Sequence, residues 1–577
     1  MPLPLKSGTR ARAKKYPLAL PKKPVSAFGS LALGTLVLTA TAAYTSTASA
    51  QQVASLTKEA VCDPYQDYAC LDRYLGTGFW ERFANYYRLE WNQSGPPSDP
   101  KAPPARREDY PPAAQSIPPM PFTEWPYGGT SAFGATRPNS VDSPLMAALG
   151  NTEFGQWMND RHLQVYGWIN GGANLSTNST KPGGNWPAAY SYTPNRAQLD
   201  QAVVYLERLP DTVQKDHVDW GMRLSAIYGM NYRYTTSYGL ASDQLLKHNK
   251  TSGYDFPMMY GEIFFPQVAN GMMVRFGRYI SLPDIEAQLA PNNYMYTHSM
   301  TYTFDNYTNT GVLASFAVGK NLILQGGVTV GTEATIGHLH KKLDNPYPDN
   351  PALGQVNPIY PNATFKADPG AQPSLTFCGR YNSDDSKDSF NVCANGINNG
   401  RYGYNNLQWY GATIYHQIDS HWHIAAEAYT EHQNQVPNAL NSVVQNVYAN
   451  NGSPFSSAFM PFNAPNLAQC ANASALTCKA TAIGMVAYLN YSPDAFNNFS
   501  IRPEYFSDPQ GQRTGTAAHF TNIAFGWQHW FSPQLQIRPE IALYHANVPA
   551  FNGNYNAGIP TSKRNAAILS ADLTYHF

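Results

Sequence analysis

From about residue 160 to the C-terminus, apolar and polar positions alternate in segments of roughly ten residues, separated by runs of Gly, Asn, Pro and Asp. The last three segments show the pattern best. In 534–545, Leu535, Ile537, Pro539, Ile541 and Leu543 share one face, and Gln534, Gln536, Arg538 and Glu540 share the other. In 518–530, Ile523, Phe525 and Trp527 oppose Asn522, Ala524, Gly526 and Gln528. In 565–577, Leu569, Ala571, Leu573, Tyr575 and Phe577 oppose Ser570, Asp572, Thr574 and His576. A strand crossing a bilayer needs one face for lipid and one for the lumen, with every backbone group paired to a neighbour. The pattern predicts an all-β fold, a transmembrane antiparallel β-barrel over residues 161–577.

Connection lengths support the same reading. Short links near 210–216, 266–270, 319–320, 418–420, 493–497 and 531–534 alternate with long ones near 175–199, 230–257, 279–309, 332–405, 433–480, 507–517 and 546–564. Barrels of this kind have short turns at one end and long loops at the other, with an even strand count. Six turns and seven loops imply fourteen strands, or sixteen if 296–305 is a strand and one more hides in a loop. The tetrapeptide IRPE occurs at 501–504 and at 537–540. Each proline removes a ladder hydrogen bond, so a bulge or irregularity is expected at both.

Upstream of the barrel the pattern changes. Residues 51–93 are partly helical in character, with Phe79, Trp80, Phe83, Tyr86 and Tyr87 forming one aromatic stripe suited to docking. Proline crowds 94–126, and the stretch 94–160 reads as an extended linker. Residues 1–50 read as a secretory signal: Lys6, Arg10, Arg12, Lys14, Lys15, Lys22 and Lys23 precede an apolar core at 27–43 and the Ala48-Ser49-Ala50 cleavage pattern. Six cysteines fall into local pairs, Cys62/Cys70, Cys378/Cys393 and Cys470/Cys478. In an exported chain these suggest disulfides, each worth roughly 2–3 kcal/mol on a loop-entropy estimate. Their spacings lack CxxC, which argues against structural zinc.

Charge narrows the partners. The chain has 39 Lys+Arg and 39 Asp+Glu, and the zero balance argues against nucleic acid, whose phosphates demand a basic surface. Charged residues on polar strand faces are lumen candidates: Asp219, Arg223, Arg275, Glu427, Glu431, Arg502, Glu504, Arg538 and Glu540. Facing lipid at the midplane, each would cost up to about 2–4 kcal/mol. Such charges either set a transverse field or neutralise one another across strands. The long link 279–309 carries Asp284, Glu286, Asn292 and Asn293 and is the best candidate to fold inward and narrow a bore. His421 and His423 share a face with Glu427, and His338 and His340 end another strand; all read as solvated histidines, and no metal site is expected. No arrangement of nucleophile and base stands out, so neither catalysis nor a cofactor is expected.

Residues 258–331 resemble the OmpL-like β-barrel porins. The resemblance rests on Glu262, Val274, Gly277, Arg278, the run Ala290 to Asn293, and Thr310-Gly311-Val312, with Trp125-Pro126-Tyr127-Gly128-Gly129 upstream. The chain departs from the family at Asp284-Ile285-Glu286, where Gly-Tyr-Glu is usual. The terminal strand is similar to the C-terminal signal of outer-membrane proteins, a final Phe577 with apolar residues two and four positions earlier. The resemblance implies a bacterial outer-membrane porin passing small hydrophilic solutes, surrounded by outer-membrane lipid and assembled by machinery that reads the last strand. It also allows a homo-oligomer, for which no interface can be read. An adhesive barrel using its long loops and a surface hydrolase are the rival functions.

Overall fold

Sixteen antiparallel strands close on themselves. In a computed structural model, the described residues are 63–64, 68–92, 133–134, 143–179, 184–188, 190–237, 240–246, 248, 250–280, 282, 284–335, 372–402, 406–442, 444–445, 467–553 and 560–577. The signal region 1–50, most of the proline-rich stretch, Trp125 to Gly129, Cys62, His338 and His340 lie outside them.

The strands are β1 (Gln164–Ser176), β2 (Ala197–Arg208), β3 (Asp219–Gly229), β4 in two pieces (Gly253–Asp255 and Met259–Phe265), β5 (Met272–Ile280), β6 (Thr308–Ala317), β7 (Leu322–Thr332) and β8 (Ser374–Asn382). They continue as β9 (Asp388–Ile397), β10 (Gln408–Gln417), β11 (Trp422–Pro437), β12 (Thr477–Asp494), β13 (Asn497–Asp508), β14 (Ala518–Ser532), β15 (Leu535–Ala546) and β16 (Asn565–His576). Each pairs with the next, and β16 returns to β1, from Trp168 opposite His576 to Ser176 opposite Ile568. β4 is interrupted because Pro257 cannot donate to the ladder; the Met258 amide instead bonds Ser225 Oγ at 3.1 Å. No helix among the described residues is long and apolar enough to cross a membrane.

The faces follow the sequence pattern. Ile523, Phe525, Trp527, Ile541, Leu543, Leu569 and Leu573 are exposed on the outside, whereas Gln528, Arg538, Glu540, Ser570, Asp572 and Thr574 are buried within. The strand count is sixteen, the larger of the two expected counts, though not by way of 296–305, which stays in a loop with a helical turn at Met300–Thr303. Both missing strands, β8 and β9, lie inside the supposed loop 332–405 and are joined by the short turn 383–387. Cys378 and Cys393 face each other across this hairpin and are bonded there, so that disulfide belongs to the wall and not to an external loop. The Cys470–Cys478 disulfide ties the end of the long loop 438–476 to the start of β12.

Neither IRPE proline makes a bulge. Pro503 and Pro539 keep continuous register with Ile523 and Ala571, and on their other sides the ladder skips a few pairs and resumes unshifted. Both point outward, where a missing N–H is bypassed without turning the strand over.

Among the described residues four helices precede β1: α1 (Tyr68–Leu75), α2 (Phe79–Glu90), α3 (Pro144–Leu149) and α4 (Glu153–Asn159). Cys70 of α1 is buried and disulfide-bonded. Cys62, the partner expected for Cys70 from the sequence, lies outside the described residues, so the Cys62/Cys70 pairing stays an expectation. The last two helices overturn the linker reading of 143–160. Their start signals are local: Ser143 accepts from the Leu145 and Met146 amides ahead of a Pro at the first helical position, and Thr152 accepts from the Gly155 amide. The aromatic stripe divides. Tyr86 packs with Leu71, Leu75 and Leu89 between helices, Tyr87 stacks on Tyr575 of β16, and Trp80 stays exposed. Trp91 stacks on Phe531, and the Asn92 amide bonds the Phe531 carbonyl at 2.9 Å, so α2 docks at the short-turn end of the wall.

The seam is completed by Phe577, whose amide bonds the Gly167 carbonyl at 2.9 Å, with the Gly167 amide returning a bond at 3.1 Å. A Cβ at Gly167 would press on the Val203 carbonyl and lie 2.7 Å from the Phe577 ring. Gly167→Val is therefore expected to obstruct closure and cut the heat-modifiable, folded fraction severalfold on unboiled gels, while Ala571→Val on the outer face of β16 leaves it unchanged.

Candidate functional site

The segment between β5 and β6 defines the interior. β5 and β6 are neighbours whose last facing pair is Ile280 and Thr308, so the intervening 27 residues leave and re-enter the wall at one place. Every described residue from 284 to 310 is buried, so this loop is packed inside the barrel instead of lying over its mouth. A short 3-10 turn at Ala290–Asn292 and the helical turn Met300–Thr303 are its only regular pieces among the described residues. Irregular backbone at membrane depth requires partners from the surrounding protein, and the wall supplies them.

Arg538 Nη1 donates to the carbonyls of Ala290 at 2.8 Å and Asn293 at 3.1 Å. Arg502 binds the Thr297 carbonyl and hydroxyl and lies 3.5 Å from both Glu286 and Glu540. Glu540 accepts from the Thr297 amide at 2.8 Å, and Glu504 from the Thr301 amide at 2.6 Å. Glu427 accepts from the Ile285 amide at 3.0 Å. Asn293 braces the loop internally, bonding the Ala287 amide at 2.8 Å and the Leu289 carbonyl at 3.0 Å, while Asn292 is buried in the adjoining turn. On the far side, Gln201 of β2 accepts from the Ala290 amide at 3.0 Å, and Asp200 accepts from Tyr296 at 2.9 Å.

The nine lumen candidates all point inward, and most are engaged by an opposite charge. Arg223 lies 3.0 Å from Glu207, Arg275 2.7 Å from Glu262, and Asp219 2.9 Å from Arg208. Arg538 pairs with Asp572, and Glu431 lies 2.9 Å from Arg513. Glu207 faces Arg223, Glu262 faces Arg275, and Arg538 faces Asp572 directly across adjacent strands. Of the two readings of these charges, neutralisation across strands describes most of the wall. Glu427 differs, because among the described residues it joins two other acids. One carboxylate oxygen each from Asp284, Asp305 and Glu427 lies within 4.8 Å of the others. Burial pushes the Asp284 carboxyl up to about 7, and Asp305 is also raised, by burial first and then by the neighbouring Asp284 and Glu427 charges. Such a carboxyl contributes its full stability below its ordinary value of 3.8 and loses it as pH rises through about 7.

Of the histidines read as solvated, His421 is exposed but His423 is buried against the loop, and His338 and His340 lie outside the described residues. His423 meets the Tyr294 hydroxyl at 2.8 Å, and His421 sits exposed in the β10–β11 turn beside Ser420. Sequence reasoning missed Asp200, Gln201, Asp305 and Arg513, which touch or belong to the loop. Alternation could place Asp200 and Arg513 near a strand, but not opposite residues 290–304. A second missed signal is glycine on the lumen face. A Cβ at Gly172 would collide with the Tyr296 hydroxyl, at Gly484 it would lie 2.8 Å from Thr301 Cγ2, and at Gly526 2.9 Å from Met295 Cγ. These glycines let the loop lie flat on the wall.

A closed strand cylinder, oily outside and charged within, with one loop folded into its interior, is the architecture of a porin-type barrel. Residues 162–577 match the family described as "Putative beta-barrel porin-2, OmpL-like", and the chain belongs to that family. It is an outer-membrane β-barrel of the porin type. Among solved structures, the outer membrane channel DcaP of Acinetobacter baumannii matches with a TM-score of 0.42 at 10% identity, over 72% of this chain and 97% of that one. An anion-selective porin from Comamonas acidovorans matches with a TM-score of 0.41 at 7% identity, over 72% and 99%. OmpT of Vibrio cholerae matches with a TM-score of 0.37 at 8% identity, over 72% and 97%. No curated protein matches this chain.

Two substitutions test the loop's anchoring. Arg538→Met leaves Asp572 buried without its cation and removes two loop contacts, so a loss of about 3–5 kcal/mol is expected in urea unfolding from detergent. Gly526→Val intrudes on Met295 and is expected to raise hydrogen exchange across 284–307 with little change in the β14 and β15 amides.

Proposed function

We propose that this protein is a passive diffusion porin whose bore is set by the inserted loop 281–307. The observation that carries the reading is the burial of every described residue of the loop within the barrel, joined to β2, β11, β13 and β15 by wall side chains. A loop so placed divides the lumen and leaves solutes only the space beside it. Hydrophilic solutes of small cross-section are the class that fits, because the lumen face is polar and its charges are mixed. Pairing of Arg223 with Glu207, Arg275 with Glu262 and Arg538 with Asp572 balances the local field, so ion selectivity is weak. The role is non-enzymatic: the wall carboxylates Glu427, Glu504 and Glu540 each hold a loop amide through one oxygen.

Residues 1–50 direct export, and the strand ending at Phe577 is the segment the barrel-assembly machinery takes up before it closes on β1. Purified mature protein in planar bilayers is expected to give stepwise conductance with reversal potentials near zero in a salt gradient. Deleting 283–293 is expected to raise the single-channel step; an unchanged step would remove the loop from the bore.

A further inference from the structure

Three carboxyls meet at the base of the inserted loop. Asp284 comes from its first residues, Asp305 from its last, and Glu427 from the wall strand β11. Their relative exposures are 6%, 1% and 3%, so water cannot disperse their charge. Asp305 has one oxygen on the Asn306 amide and Glu427 one on the Ile285 amide. Asp284 Oδ1, Asp305 Oδ2 and Glu427 Oε1 are left buried without a hydrogen-bond donor from the protein. None of the three acids has a salt-bridge partner among the described residues. The neighbouring charges do not help: Glu286 is engaged by Arg502, and Glu431 by Arg513. Several other buried acids of this lumen are matched by an arginine on the next strand, as Asp572 is by Arg538, Glu207 by Arg223 and Glu262 by Arg275. Unpaired buried carboxylates are costly, and this cluster concentrates three.

We infer that Asp284, Asp305 and Glu427 form a binding site for one divalent cation of the calcium type, which clamps both ends of the loop to β11. The donors are all carboxylate oxygens, the preference of hard cations and not of zinc or copper. Calcium–oxygen bonds of roughly 2.3–2.6 Å span oxygens up to about 5 Å apart across the ion, and the three carboxylate oxygens fall within 4.8 Å of one another. The site depends on the loop being docked, and not on the barrel conducting, so binding and conductance test separate claims.

The competing neutraliser is a proton, which on any one of the three carboxyls would lower the charge of the cluster. The test uses the full mature chain folded in detergent, with Tb3+ as a luminescent probe and Ca2+ as competitor at pH 8. One saturable Tb3+ per chain, displaced by Ca2+ and weakened by about tenfold or more in Asp284→Asn/Asp305→Asn, is expected. Ca2+ is also expected to slow hydrogen exchange of 284–307 in the native protein and not in the variant. Tb3+ binding that is equal in native and variant chains overturns the site. Loop exchange unaffected by Ca2+ at pH 8 overturns it too, because protons alone then neutralise the triad. If the double variant does not fold, Glu427→Gln, which keeps the acceptor for the Ile285 amide, carries the same comparison.

Discussion

The constraint on which everything else depends is that hydrocarbon offers no hydrogen bonds to a peptide. A sheet in that solvent cannot keep an edge, so it must run until it meets its own beginning. Here the meeting place is the ladder between β1 and β16, extended by the reciprocal Gly167–Phe577 bonds. Once the cylinder is closed, side-chain period alone decides which residues meet lipid and which meet the interior. The whole partition of apolar and charged residues follows from that single geometric requirement.

The interior then has a problem of its own. A segment without regular structure has been placed where its amides and carbonyls are cut off from bulk water. The wall answers with charged side chains used as hydrogen-bond partners for backbone: carboxylates for the amides of Ile285, Thr297 and Thr301, guanidiniums for the carbonyls of Ala290, Asn293, Thr297 and Phe304. Charge-assisted bonds of this kind are stronger than neutral ones. Arg502 and Arg538 therefore serve both the wall's charge balance and the loop's position.

Much of this was legible in the chain. The faces of β14, β15 and β16 could be written from period two alone, because one side of each is committed to lipid. The inward loop could be suspected from its length and its polar residues. The hairpin β8–β9 could not. Its outward residues Leu375, Phe377 and Tyr381 do alternate, but they stand between a long proline- and asparagine-rich stretch and the glycine- and asparagine-rich run after β9. A missing hairpin removes two strands together, so the alternation of short and long links stays intact and gives no warning. Partnerships such as Glu207 with Arg223 were hidden for another reason: they depend on register between strands, which neither strand encodes by itself. The contacts of Asp200 and Arg513 depend on where an irregular loop comes to rest, and no local periodicity carries that.

Because Ile280 and Thr308 face each other on adjoining strands, the loop is inserted into the cylinder without being woven into it. Withdrawing it would sever its own attachments and leave the rung sequence of β5 and β6 unbroken. The molecule is thus two mechanical tiers, a hoop whose integrity is fixed by main-chain pairing and a tethered insert whose seating has a separate free energy. Selection can retune the insert, residue by residue, without renegotiating how the hoop folds.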